Sequence, residues 1–163
     1  MFKYFDKDFI LSEIKKHSLD DKLIYLQDDK YEYGGEIFYG TPWIAELRKW
    51  AFYAADLDEK FSRIHSDTTI LITYIPPRIM SVGFSYPFDK FHGNPQERNY
   101  GSFALANKIV ELLNLKLNFC GHVHTGTHGS IKYENCTIYN VSIKNEYYDN
   151  IYNQTYVDTE KFI

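Results

Sequence analysis

The chain has 163 residues and a formal net charge of −4, with 44% hydrophobic residues and 18% aromatic residues, fifteen tyrosines among them. That length suits one domain with its own core, and an acidic balance with scattered lysines gives no electrostatic footprint for nucleic acid. No apolar run reaches the ~20 residues of a membrane span, and the opening "MFKYFDKDF" is no secretory signal; with two cysteines, too few for a disulfide framework, the expected setting is cytoplasmic.

The elements follow in chain order. "DFILSEIKKHS" places Phe9, Ile10 and Ile14 at helical spacing and predicts a first helix ending near Ser18. "LIYLQ" (23–27) and "KYEYGGEIFYG" (30–40) are rich in β-branched and aromatic residues and predict strands, with a ribbon turning at Gly34 and Gly35. Pro42 marks a turn, and 51–64 has helical periodicity. "TTILITY" (68–74) is an uninterrupted apolar and β-branched run that predicts a strand buried on both faces, stopped by Pro76 and Pro77. Residues 78–100 read as a long loop, uncommon in a compact domain and often functional when it occurs. Ser102 is placed to cap a helix over "GSFALANKIVELLNL", and "KLNFCG" reads as the next buried strand, which makes a strand–helix–strand crossover. "SIKYENCTIYNVS" gives two more short strands, and the last twenty or so residues continue as an edge strand. No repeat, low-complexity tract or linker divides the chain, so 1–163 is expected to form one domain.

Three of the six histidines, His122, His124 and His128, fall within "NFCGHVHTGTHG" (118–129). If the strand keeps its extended geometry past Cys120, its period of two puts His122 and His124 on one side and Val123 on the other, where both imidazoles can reach one ion. Gly121 is the residue marked for a turn or close approach, at the carboxyl end of a strand where open α/β sheets place their ligands. Neutral imidazole ligates zinc, iron, nickel and copper, so His-x-His here is a metal half-site. Against this stands the reading of solvated loop histidines. A structural zinc site using Cys120 and Cys136 has the wrong spacing, and a cysteine just inside a buried strand is ordinarily a small core residue.

Gly121-His122-Val123-His124 resembles the Gly-His-x-His motif of calcineurin-like metallophosphoesterases. "GTPW" (40–43), "TILITYIPP", "GSFAL" (101–105) and "NVSIKNEYY" resemble further motifs of the small bacterial and phage members, in the same order, over about Leu23 to Tyr148. The resemblance implies an α/β fold, a β-sheet sandwich flanked by helices like the C-terminal half of that family's fold. It also implies divalent metal ions (Mn, Fe or Zn), with His122 ligating one and His124 the other, and metal-dependent hydrolysis of a phosphate mono- or diester. Two such ions about 3.5–4 Å apart clamp a phosphoryl oxygen and lower the pKa of the attacking water.

The family's Asp-x-His, Gly-Asp-x-x-[Asp/Asn] and Gly-Asn-His-[Asp/Glu] motifs are absent, and Tyr74 stands where the family has a third histidine. No catalytic residue is assigned. Against the family pattern Met1 falls just after Gly-Asn-His-[Asp/Glu], so the chain is expected to be a truncated phosphoesterase that pairs with a complementing N-terminal chain or with itself. Three readings compete. The chain is a phosphoesterase whose missing ligands come from another chain; or it is a noncatalytic module that binds a nucleotide or phosphate ester, with Tyr74 lining the pocket; or it is an interaction protein whose cluster binds nothing. Tyr74 also has a plain reading as a core aromatic, Trp43 and Trp50 read as packing anchors, and His17, His65, His92 and His128 as loop or surface residues.

Overall fold

A computed structural model describes residues 6–45, 51–79, 101–124, 130–144, 147, 149–150 and 153–158. Helix α1 (Lys7–Lys16) forms where the periodicity predicts it, with the Asp6 side chain accepting from Asp8 N–H and Lys15 and Lys16 in the last turn. It buries none of its residues, and Lys7 Nζ reaches Asp29 Oδ2 at 2.7 Å. Strands β1 (Asp29–Tyr33) and β2 (Glu36–Thr41) form an antiparallel hairpin. Its two-residue turn requires φ > 0 at both positions, and Gly34 and Gly35 take φ of 59° and 81°. The strand predicted at 23–27 does not form. That segment crosses β2 instead of pairing with a neighbour, so that a Cβ on Gly40 would overlap that of Leu26.

The helix predicted over 51–64 contracts to α2 (Leu57–Ser62), started by Asp56, whose side chain accepts from Glu59 N–H at 2.9 Å. Ahead of that cap, Phe52 takes φ 61° and Tyr53 bridges Ile44, so residues 51–55 are committed to the chain leaving β2. β3 (Ile70–Thr73) leads into the two prolines, and Pro77 bridges Ser102, closing the ends of the long connection. Residues 80–100, most of the predicted loop, lie outside the described residues. α3 (Phe103–Glu111) starts as predicted, with Ser102 Oγ accepting from Leu105 N–H. Gly101 is required there, because a Cβ would sit 2.8 Å from Arg78 Cα and 2.9 Å from the Pro77 carbonyl oxygen. β4 (Leu117–Cys120), β5 (Ser130–Tyr133) and β6 (Cys136–Asn140) follow. Of the predicted terminal edge strand, the described residues 153–158 are irregular and Asn150 bridges Lys144.

The six strands make one mixed sheet in the order β1-β2-β3-β4-β6-β5. β2, β3, β4 and β6 are parallel, and β1 and β5 close the two sides antiparallel. The register puts Tyr39, Leu71, Asn118 and Ile138 in one cross-strand row, and Gly40, Ile72, Phe119 and Tyr139 in the next. The first row faces the helices, where Leu71 and Ile138 pack with Phe61, Leu105 and Ile109 in the core. The second does not: Leu71 is 0% exposed and its neighbour Ile72 is 41% exposed. The prediction that β3 is buried on both faces holds at Ile70, 1% exposed on the same face, and gives way at Ile72. Among the described residues there is an α/β arrangement with one sheet, where the sequence reading expects a sandwich of two. No helix among them is long and apolar enough to cross a membrane.

Candidate functional site at the carboxyl edge of the sheet

All four parallel strands end on the same edge, which brings together the residues that follow Thr41, Thr73, Cys120 and Asn140. Gly121 N–H donates to the Tyr74 carbonyl at 3.0 Å, joining the exits of β3 and β4. The Tyr74 ring lies 5.0 Å from the His122 ring, tilted by 48°. Two of the three predicted site residues, Tyr74 and His122, are therefore in one place.

The chain does not stay extended past Cys120. Val123 N–H donates to the Gly121 carbonyl at 2.8 Å, and His122, between them, takes φ 67°. This is a three-residue turn of the rarer, positive-φ hand. The conformation marked for Gly121 is carried by His122 instead. A Cβ on Gly121 would meet nothing closer than Ser142 Oγ at 3.6 Å, so sterics do not explain the glycine. Val123 is buried while His122 and His124 are half-buried, and His124 is close enough to act electrostatically on His122. The turn is held from β6. Asn140 Nδ2 donates to the Val123 carbonyl at 2.9 Å, Asn140 Oδ1 accepts from Ser142 N–H at 3.1 Å, and Val141 N–H donates to the Cys120 carbonyl at 2.8 Å. The Asn140-Val141-Ser142 segment thus has a physical reason to accompany Gly-His-x-His, which the sequence left as a pattern.

Burial pulls the His122 pKa down to about 4, with the neighbouring His124 adding in the same direction. At neutral pH this imidazole is uncharged, the form that binds metal. Among the described residues no group of three or more His, Cys, Asp or Glu is gathered as a metal ion requires. The cysteines do not complete one. Cys120 pairs with Asn140 across the ladder while Cys136 lies at the start of β6, about 13 Å of strand away. Burial pushes the Cys120 thiol well above its usual range and Cys136 up to about 12, as expected of core residues.

A second cluster stands at the end of β2. Asp28 accepts from Trp43 Nε1 at 2.7 Å and from Thr41 Oγ1 at 2.8 Å, with its own backbone at φ 50°. Lys60 Nζ sits 4.0 Å over the Trp43 ring and Phe52 meets it edge-on. Trp43 of the GTPW segment is thus a packing anchor. His65 and His17 are exposed, and Trp50, His92 and His128 lie outside the described residues. Asp28 and Asn118 are residues the sequence reading missed, each defined by contacts with residues distant in sequence, and Asn140 was seen only as part of a pattern.

No family model matches the chain. It is similar to a UPF0046 protein of Caenorhabditis elegans. The two are 30% identical over 144 residues, which cover 82% of this chain and 33% of that protein. The chain spans about a third of that relative's length.

Proposed function

We propose that this chain carries the Gly-His-x-His half of a calcineurin-like metallophosphoesterase site, with His122 and His124 as ligands of divalent metal and a phosphate mono- or diester as substrate. The observation that supports this reading best is His122 itself. A non-glycine residue is held at φ 67° in a tight turn, at the carboxyl edge of parallel strands, with its ring half-buried and uncharged. Backbone strain of this kind costs on the order of 1–3 kcal/mol and collects at functional sites. The paired imidazoles suit Mn, Fe or Zn. When bound, such an ion supplies a Lewis acid and an activated water.

In this proposal the chain's own residues do three things. Asn140 and Gly121 hold the turn that presents His122, burial keeps that imidazole neutral for ligation, and Tyr74 lines the pocket with a phenol ring in place of a third histidine. The carboxylate ligands of the family's other motifs come from a complementing chain. Protein isolated together with its partners is expected to hydrolyse p-nitrophenyl phosphate or its bis ester with Mn2+, and His122→Ala to abolish the activity. Absence of hydrolysis with Mn2+, Fe2+ and Zn2+ contradicts the proposal. The half-buried Tyr74 ring favours a second reading, a noncatalytic nucleotide- or phosphate-binding module, because a phenol stacks on a base but is a poor substitute for an imidazole ligand. A thermal shift with nucleotides but not with Mn2+ selects that reading.

A further inference from the structure

Asn118 is 0% exposed in the middle of β4, where Leu71 and Ile138 flank it across the ladder. Its Nδ2 donates to the Leu71 carbonyl at 3.2 Å and to Thr73 Oγ1 at 3.3 Å. Thr73 Oγ1 in turn donates to the Ile75 carbonyl at 2.9 Å. Asn118 Oδ1, fully enclosed, has no hydrogen-bond partner among the described residues. An apolar side chain of the same size would fill the position without leaving a buried acceptor unsatisfied, so packing alone does not account for an asparagine there.

The hydrogen-bond chain does one local thing. It runs from β4 to the residues on both sides of Tyr74, fixing Thr73 and Ile75, while Gly121 N–H fixes the Tyr74 carbonyl. Tyr74 is thereby pinned before, at and after its own position, by Gly121 directly and by a relay through Thr73 that starts in the strand leading into His122. The geometry points to Asn118 as a positioning residue that, through Thr73, sets the placement of the Tyr74 ring against His122. For its metal-binding consequence this inference rests on the function proposed above; for the ring geometry it does not.

The test uses the metal-free protein and the Asn118→Leu, Thr73→Val and Thr73→Ser variants, each followed by thermal melting and by the nuclear Overhauser cross-peak between the Tyr74 and His122 rings. The cross-peak is expected in the natural chain and in Thr73→Ser, which keeps the hydroxyl relay, and is expected to vanish in Asn118→Leu and Thr73→Val although both still melt cooperatively. Persistence of the cross-peak in a folded Asn118→Leu or Thr73→Val overturns the inference. Should Asn118→Leu fail to fold, the Thr73 pair carries the test alone, since Thr73→Val removes one hydroxyl from the end of the relay and leaves the asparagine in place. A Mn2+ titration on the same samples is expected to show affinity weakened by roughly tenfold wherever the cross-peak is lost. If the natural chain binds no Mn2+ in any form, the metal reading fails while the ring result still decides the role of Asn118.

Discussion

Two corners of one sheet edge are built in opposite ways. At the end of β2, the Asp28 carboxylate takes donors from Trp43 and Thr41, Lys60 lies over the indole, and the cluster closes on itself. At the ends of β3 and β4, backbone contacts and buried asparagines hold two half-buried rings tilted against each other beside a strained turn, with no group of three or more His, Cys, Asp or Glu gathered there among the described residues. The first corner spends its polar groups on fastening the chain. The second spends its fastenings on presenting side chains, which is how a scaffold serves a site.

Substitutions can break that contrast. Asp28→Ala should have the largest effect, about 2–4 kcal/mol of stability in denaturant unfolding, because it removes hydrogen bonds to a charged acceptor and puts alanine at φ 50°. Asp28→Asn, which tolerates that φ and still accepts from Trp43, should lose only about half as much. A smaller loss for alanine would mean the β2 corner is not the fastening described.

The second corner should show itself in pH dependence. The folded pKa of His122, about 4, lies below its unfolded value of 6.5, so between them the unfolded chain binds the extra proton. Stability is therefore unaffected by this group above 6.5 and falls as pH drops from 6.5 toward 4, by on the order of 1–3 kcal/mol. His122→Asn should flatten that part of the profile. Asp29 and Glu36, whose carboxyls are held below their usual range by Lys7 and Lys116, lose their contributions only at more acid pH. The smallest effect separates strain from burial: at φ 67°, His122→Asn should be more stable than His122→Ala by about 1 kcal/mol. Equal stabilities would remove the argument from strain.

What the sequence disclosed was local. The hairpin at Gly34 and Gly35 and the Ser102 cap rest on turn and capping chemistry that neighbouring residues specify, helix α1 on the helical spacing of its apolar residues, and each forms where predicted. Burial across the sheet was less legible. The run 68–74 looks alike on both sides, yet only the register against the helices makes Leu71 core and Ile72 surface. At the site, spacing marked His122 and His124 but assumed an extended chain. The turn that presents them is set by Asn140 from another strand, and the residue before Tyr74 is held by Asn118 across from β4. Such bonds join residues far apart in sequence, so no local pattern announces them.

Elemental analysis of the untagged protein beside the His122→Ala plus His124→Ala variant addresses the metal site directly. Stoichiometric manganese, iron or zinc in the natural chain, absent from the folded double variant, is the predicted result. Absence of metal from both, after purification in buffers supplemented with all three ions, would contradict a metal role for this pair.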